Sequence, residues 1–424
     1  MLIRFKLRKA HEGRLRATIC IEGKEEYEGY LNGSLDELKS SFDQWQKAYL
    51  GLENIGLRLT PKPQTTTVSK AEVQDFADSF KKKFNKWLKG EGDEKWQKVL
   101  RKLAGKFDKS SEDEIKIFLD VDEEESILRR FPWQDWDFFQ ENCSTKEVVL
   151  YDNVELNPVI PLADAVKVLV VIGNNEDIEQ GVQEDLNGLR ELERKNRGVF
   201  NILEQPTPHE LLSELRSKSY QIFIFTGHSR SDLNQKIGWI ELSKTDSLTV
   251  SKLKSALSEA IDGGLQLCIL NSCDGLGFAK QLIELKLPLA IVMREPVPDD
   301  VAAKFLRVFL DEFSSGQSFF KSFREARDRL EGFSLQYPGV CWLPTIYTGI
   351  EEELPTWSRL RGQYIESKPL PNPHSKKIWR QWSFLTGVAF TSIAAFIAIW
   401  VIRDGEPINP HPELFSLGDK NLTP

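Results

Sequence analysis

Histidine is scarce in this chain: five in 424 residues, none in HxxxH or HxxH spacing. A metal site has little to be built from, and neither a metal nor a cofactor is expected. Cysteine is nearly as rare. Cys20, Cys143, Cys268, Cys273 and Cys341 are odd in number, widely spaced and form no CxxC pair. That pattern excludes a disulfide framework and a zinc ribbon and points to a reducing compartment. Positive charge is not in excess: the net charge is −8, which argues against an electrostatic nucleic-acid binder. The local cluster Lys81-Lys82-Lys83 with Lys86 reads as the solvated face of a helix. Neither GxGxxG nor GxxxxGK[ST] occurs, so "VVIGNNEDIEQG" gives a flavodoxin-like nucleotide site only weak support. The amino-terminal "MLIRFKLRKAHEG" lacks an apolar core, so no signal peptide is expected.

What is present is an ordinary globular composition, 40% hydrophobic and 28% charged, in a chain long enough for two or three domains. Residues 1–60 read as a hairpin (Leu2–Leu7, Leu15–Ile21) followed by a helix around Leu35–Leu50. Ser69 and Glu72 make a capping box, after which Val73, Phe76, Ala77, Phe80, Phe84 and Leu88 recur at helical spacing. Trp133 and Trp136 in "FPWQDW" are expected core aromatics. From about residue 165 strands and helices alternate. "VKVLVVIG" (166–173), "YQIFIFTGHS" (220–229), "LQLCILNS" (265–272) and "PLAIVM" (288–293) are near-continuous apolar runs, as strands buried on both faces are. "VCWLPTIYTG" (340–349) is expected to close the sheet. The pattern predicts a mostly parallel α/β sheet flanked by helices.

Two of these strands end in reactive side chains, "IFIFTG" in His228 and "LCILNS" in Cys273. A right-handed crossover sets them parallel and adjacent, with the His and Cys at one rim of the sheet. That is where a thiol nucleophile and its base would meet. Cys273 also precedes a helix, whose positive end lowers a thiol's pKa, while Asp274 opposes this and is expected as an N-cap or Asx-turn former. Gly227 and Gly275 give backbone N–H groups room to approach an oxyanion. On geometry alone a structural pair and a catalytic dyad both stand.

"FIFTGHS" and "LCILNSCDG" resemble the His and Cys motifs of CHAT domains, bacterial members of the caspase, separase and gingipain clan. "PLAIVMREPVPDDVAAKFLRVFLDEFSSGQSFFKSFREARDRL" (288–330) is similar to the closing segment of that family, and "FPWQDW" to its upstream Pro-Trp segment. The resemblance covers about 115–349. It implies a caspase-like peptidase domain with Cys273 as nucleophile, His228 as general base and the backbone N–H of Cys273 in the oxyanion hole. Two positions depart from the clan's pattern. Ser229 stands where a glycine usually follows the His, and its side chain is expected to crowd the oxyanion site. Asn271 stands where relatives that cut after basic residues often carry Asp, so an anionic S1 floor is not evident.

The carboxy-terminal part differs in kind. Residues 383–402, "SFLTGVAFTSIAAFIAIWVI", carry no charge, and twenty residues at ~1.5 Å each give ~30 Å, a bilayer core. Trp379, Trp382 and Trp400 flank the run as interfacial anchors do. Lys376, Lys377 and Arg380 precede it, whereas only Arg403 follows, so the bulk of the chain is expected in the cytoplasm. The resulting organisation is a smaller α+β amino-terminal region (1–114, a sensing or packing domain), a CHAT domain (115–350), a tether (351–382), one transmembrane helix (383–402) and a tail (403–424). The functional expectation is a membrane-anchored cysteine endopeptidase with a regulated signalling or defence role. Its partners would be a protein substrate, the lipid bilayer and a regulatory protein or a second copy. The rival expectation is a caspase-like signalling scaffold without turnover.

Overall fold

The structure is a computed structural model. It describes residues 1–361 except 11–13, 53–67, 91, 108–113, 143–144, 155–163, 177, 196, 232–237 and 352–353. The 383–402 span, the tail, most of the tether and Cys143 lie outside the described residues. Among the described residues no helix is long and apolar enough to cross a membrane.

The chain begins with β1 (Leu2–Lys9), in which Ile3, Phe5 and Leu7 turn inward at the period of two that a half-buried strand requires. It continues through β2 (Leu15–Ile21) and β3 (Glu25–Leu31) to three helices, α1 (Leu35–Leu50), α2 (Lys70–Lys89) and α3 (Glu94–Ala104). The capping box expected at Ser69 and Glu72 is present at the start of α2, and Val73, Ala77, Phe80, Phe84 and Leu88 form its buried face. Next come β4 (Ile115–Val121), a 3-10 helix (Glu123–Arg130), α4 (Asp137–Asn142) and β5 (Lys146–Tyr151). The alternating part follows with β6 (Lys167–Ile172), α5 (Glu179–Arg194), β7 (Val199–Glu204), α6 (Pro208–Ser217) and β8 (Ile222–Thr226). A small excursion, β9 (Ser229–Ser231), β10 (Gly238–Glu241) and β11 (Ser247–Thr249), leads to α7 (Val250–Asp262) and β12 (Leu267–Asn271). The domain is completed by α8 (Leu276–Glu284), β13 (Leu289–Met293), α9 (Asp299–Ser314), α10 (Phe319–Asp328), β14 (Pro344–Thr348) and α11 (Trp357–Leu360).

Among the described residues, eleven strands form one sheet in the order β3-β2-β1-β4-β5-β14-β13-β12-β8-β6-β7, and β11-β10-β9 form a second. In the large sheet all ladders are parallel except β1–β2, β2–β3 and β13–β14. Two features were not expected. The strand at 340–349 does not close an edge: β14 lies in the middle, antiparallel to β13 and parallel to β5. The strands on either side of residue 114 also belong to one sheet, because β1 runs parallel to β4 in register from Leu2–Lys116 to Leu7–Val121. Residues 1–365 accordingly cluster as one unit.

An aromatic layer joins the amino-terminal helices to the rest. Phe42 on α1 lies 5.1 Å from Phe131, Phe84 on α2 lies 5.2 Å from Trp133, and Trp45 lies 4.8 Å from Trp342. Trp133 and Trp136 are buried, as their segment predicts. Aromatic pairs in offset or edge geometry contribute beyond their buried area, so α1 and α2 are held firmly over this face of the sheet.

Candidate active site

β8 and β12 are neighbours, parallel and paired from Ile222–Leu267 to Thr226–Asn271. His228 is two residues beyond Thr226, and Cys273 two residues beyond Asn271. Paired strands stand about 4.8 Å apart, so both reactive residues leave the sheet at the same depth from adjacent strands. Gly227 makes the exit turn at a φ of +144°, and a Cβ there would come within 3.1 Å of the Asn174 carbonyl. Only glycine suits that combination.

The loop after β6 cradles the imidazole. The His228 backbone N–H donates to the Asn174 carbonyl (3.2 Å), and Nε2 lies 3.0 Å from the Glu176 carbonyl oxygen. A carbonyl only accepts, so Nε2 carries the proton, and the neutral ring keeps its lone pair on Nδ1. Nδ1 is buried and has no hydrogen-bond partner among the described residues. A base needs this arrangement: one nitrogen fixed by a neutral acceptor, the other available. Asn174 and Glu176, from the run weakly suggestive of a nucleotide site, are in this fold the support of His228.

Cys273 is buried, in a turn whose next residue, Asp274, has left-handed backbone (φ +44°). Asp274 is not the N-cap. Gly275 occupies that position without a side-chain cap, and the Asp274 carboxylate instead receives both Arg130 Nη2 hydrogen bonds, at 2.9 and 2.8 Å. The guanidinium lies against the acid expected to oppose a thiolate. The Gly275 N–H donates to the Met293 carbonyl at 3.0 Å. Its role is space: a Cβ would come within 3.1 Å of Leu270 and Val292.

Ser229 does something different from crowding the site. It is buried, and its Oγ is hydrogen-bonded to Ser272 Oγ (2.7 Å) and to the Cys273 carbonyl oxygen. The hydroxyl therefore staples the two strand ends together. Ser229→Gly, which would relieve the site if the side chain only crowded it, is instead expected to lower turnover. Losing a buried hydrogen-bonded partner costs about 1–3 kcal/mol, read as a lower melting temperature together with slower cleavage. Undiminished turnover and stability would show that the staple has no function.

Beneath the same strand ends lies a carboxylate the sequence does not advertise. Asp185 on α5 is buried and accepts from Thr226 Oγ1 (2.6 Å) and Asn271 Nδ2 (3.1 Å). It ties together the last residues of both reactive strands. In sequence it sits in "EDLNGLRELE", where an acid reads as solvent-facing. Two other thiols, Cys268 and Cys341, are poor nucleophile candidates. Burial pushes Cys268, inside β12, far up, and pushes Cys341 up to about 11. Among the described residues no cluster of His, Cys, Asp and Glu is suited to a metal ion.

Comparison with known proteins agrees with this architecture. Residues 155–342 match the family model of the CHAT domain, a segment that carries both His228 and Cys273. The large, mostly parallel, helix-flanked sheet and this match define a caspase-like α/β fold. Among solved structures, the chain is similar to one from the separase–securin complex of Saccharomyces cerevisiae. There the TM-score is 0.48 and the identity 11%, over 82% of this chain and 30% of that one. It is also similar to one from the complex of the pro- and mature domains of Porphyromonas gingivalis RgpB. That TM-score is 0.39 and the identity 8%, over 76% of this chain and 78% of that one. The chain thus spans about a third of the length of the yeast chain it matches. No curated protein matches it.

Proposed function

We propose that this protein is a cysteine endopeptidase in which Cys273 is the nucleophile and His228 the general base. The observation that carries the reading is the registered pair of strand ends, with His228 Nε2 held by a backbone carbonyl and Nδ1 left available. In the first half-reaction Nδ1 takes the thiol proton and Sγ bonds to the scissile carbonyl carbon. The oxyanion is stabilised by the backbone N–H of Cys273. The tetrahedral species then expels the amine, which receives the proton from the imidazolium, leaving a thioester. In the second half, Nδ1 takes a proton from water, the hydroxide adds to the thioester carbonyl, and Sγ leaves with that proton. No cofactor enters.

Both side chains are buried in the structure, Cys273 at 0% and His228 at 3% exposure. The reading therefore includes an opening step before a peptide strand reaches the thiol. The same burial favours the rival reading, a caspase-like scaffold without turnover. Profiling new protein amino termini in cells that make the wild type or Cys273→Ala distinguishes them. Cleavages present only with the wild type are expected; identical profiles would support the scaffold.

We further propose that 383–402 anchors the protein as a single span with the bulk of the chain in the cytoplasm. Support comes from the uncharged run, its flanking tryptophans and the preceding cations. The anchor would restrict substrates to those at the membrane. Its Gly387, Ala389, Ser392, Ala394 and Ala395 permit self-association, and a regulatory protein is the other expected partner. Reporters at Met1 and after Pro424 should show opposite protease accessibility in intact cells, with Met1 protected. A Met1 end outside, or release without detergent, would refute the arrangement.

A further inference from the structure

Arg130 lies at the end of a 3-10 helix whose sequence, EEESILRR, reads as a solvated charge run. In the fold its side chain is only 10% exposed, and both terminal nitrogens are engaged. Nη2 forks across both Asp274 oxygens (2.9 and 2.8 Å), and Nη1 donates to Glu295 Oε1 (2.9 Å) and to the Arg294 carbonyl (2.6 Å). Glu295 is itself buried, and its other oxygen accepts from Gln46 Nε2 on α1 at 2.6 Å. Two further α1 side chains reach the carboxy-terminal half. The Tyr49 hydroxyl donates to the Pro296 carbonyl (2.9 Å) and Trp45 Nε1 to the Pro338 carbonyl (3.1 Å). A chain of polar contacts thus runs from α1 through Glu295 and Arg130 to the residue bonded to Cys273.

That residue has an unusual backbone. Asp tolerates the left-handed region better than most side chains, but a non-glycine there persists only where its surroundings hold it. One planar guanidinium holds it by reaching two acids through separate nitrogens, Nη2 to Asp274 and Nη1 to Glu295, a span that a single ammonium does not cover. Burial acts against the Arg130 charge, but Glu295 and Asp274 outweigh it and keep the group above its ordinary value. Burial likewise pushes Glu295 above the usual carboxylate range against the pull of Arg130.

We propose that Arg130 is the positioning residue of the nucleophile turn. It holds Asp274 in its left-handed conformation, offsets that carboxylate beside the thiol, and through Glu295 and Gln46 makes the amino-terminal segment a working part of the site. The titratable groups on the elements packed about this turn are His228 beyond β8, Tyr49 on α1, Asp274 in the turn itself, Arg130 from the 3-10 helix and Glu295 beyond β13. Asp185 on α5 lies behind them. Tyr49 registers the proximity, since burial and then the charge of Cys273 push its phenol well up. Of these groups, Asp274 and Arg130 are the pair of opposite charge whose removal changes the thiol in opposite directions.

The proposal rests on Cys273 as the nucleophile of the peptidase, and its test reads the thiol directly. Thiolate ultraviolet absorbance is titrated in the full chain with Arg130→Met, Asp274→Asn or both, each differenced against the same protein carrying Cys273→Ala. Arg130→Met leaves Asp274 uncompensated. Its titration should move up by about one pH unit or more, a tenfold loss of thiolate at a given lower pH. Asp274→Asn should move it down, and the double variant should return it toward the wild type. A purely structural role of Arg130 would not produce opposite shifts that cancel. Arg130→Lys, which keeps the charge and loses the simultaneous reach to Asp274 and Glu295, should recover part of the Arg130→Met shift. If Arg130→Met does not fold, Asp274→Asn decides alone. Titrations that stay at the wild-type position, or move the same way in both single variants, overturn the proposal. Shifts as expected in a protein that cleaves nothing would instead fail the peptidase reading and leave this one standing.

Discussion

If the proposed mechanism holds, Cys273→Ala is expected to abolish peptide-bond cleavage and His228→Ala to lower it by roughly 10²–10⁴-fold, the contribution of a positioned base. The asymmetry follows from their roles. Without Sγ no thioester forms, so nothing replaces the lost covalent route. Without the imidazole the thiol remains and reacts at the rate its small thiolate fraction allows. Neither variant should unfold the chain, because the sheet is held by ladders on both sides of β8 and β12. Cys268→Ala and Cys341→Ala are expected to change stability and leave the proposed mechanism intact. Cleavage rates against a confirmed substrate, with melting temperatures alongside, check all four. Full activity in Cys273→Ala would end the assignment.

The second large effect is on stability. Arg327 on α10 pairs with Glu147 on β5, with side-chain exposures of 10% and 2%. Burial pushes Glu147 up against the pull of Arg327. Arg327→Met strands that carboxylate in the interior, which costs about 3–5 kcal/mol. The sign of its pH dependence follows. With its cation gone, Glu147 is raised further in the folded state, so protonation relieves the loss. The deficit should be small below the ordinary carboxylate value and grow as pH rises through the raised one. Glu147→Gln added to Arg327→Met should recover part of the stability. Urea denaturation at acid and neutral pH measures this. A loss under 1 kcal/mol, or one independent of pH, would show that the pair is not a supporting element.

The reactive strands were legible because burial on both faces leaves an uninterrupted apolar run, and IFIFT and LCILN carry no competing signal. Their adjacency followed from chirality. The place of β14 did not, because strand order is decided by pairing across the sheet and PTIYT carries no mark of being central. The merger of β1–β3 with the larger sheet was hidden for the same reason: a hairpin reads identically whether its outer strand is an edge or pairs with β4. At the site, the sequence pointed to His228 and Cys273 through their side chains. It could not reveal Glu176, whose contribution is a backbone carbonyl. Arg130 and Asp185 were missed because isolated charges in polar or amphipathic stretches resemble solvated ones. Ser229 was noticed and misjudged, since only the fold shows its hydroxyl turned toward Ser272 and Cys273.

The central claim is that a thiol activated by His228 performs covalent chemistry. A peptide carrying a thiol-directed electrophile, incubated with the full chain and followed by mass spectrometry of the adduct, tests it most directly. The account predicts one adduct, on Cys273, absent in Cys273→Ala and strongly slowed in His228→Ala. Modification confined to Cys20, Cys268 or Cys341, or a Cys273 adduct whose rate ignores His228, would contradict it.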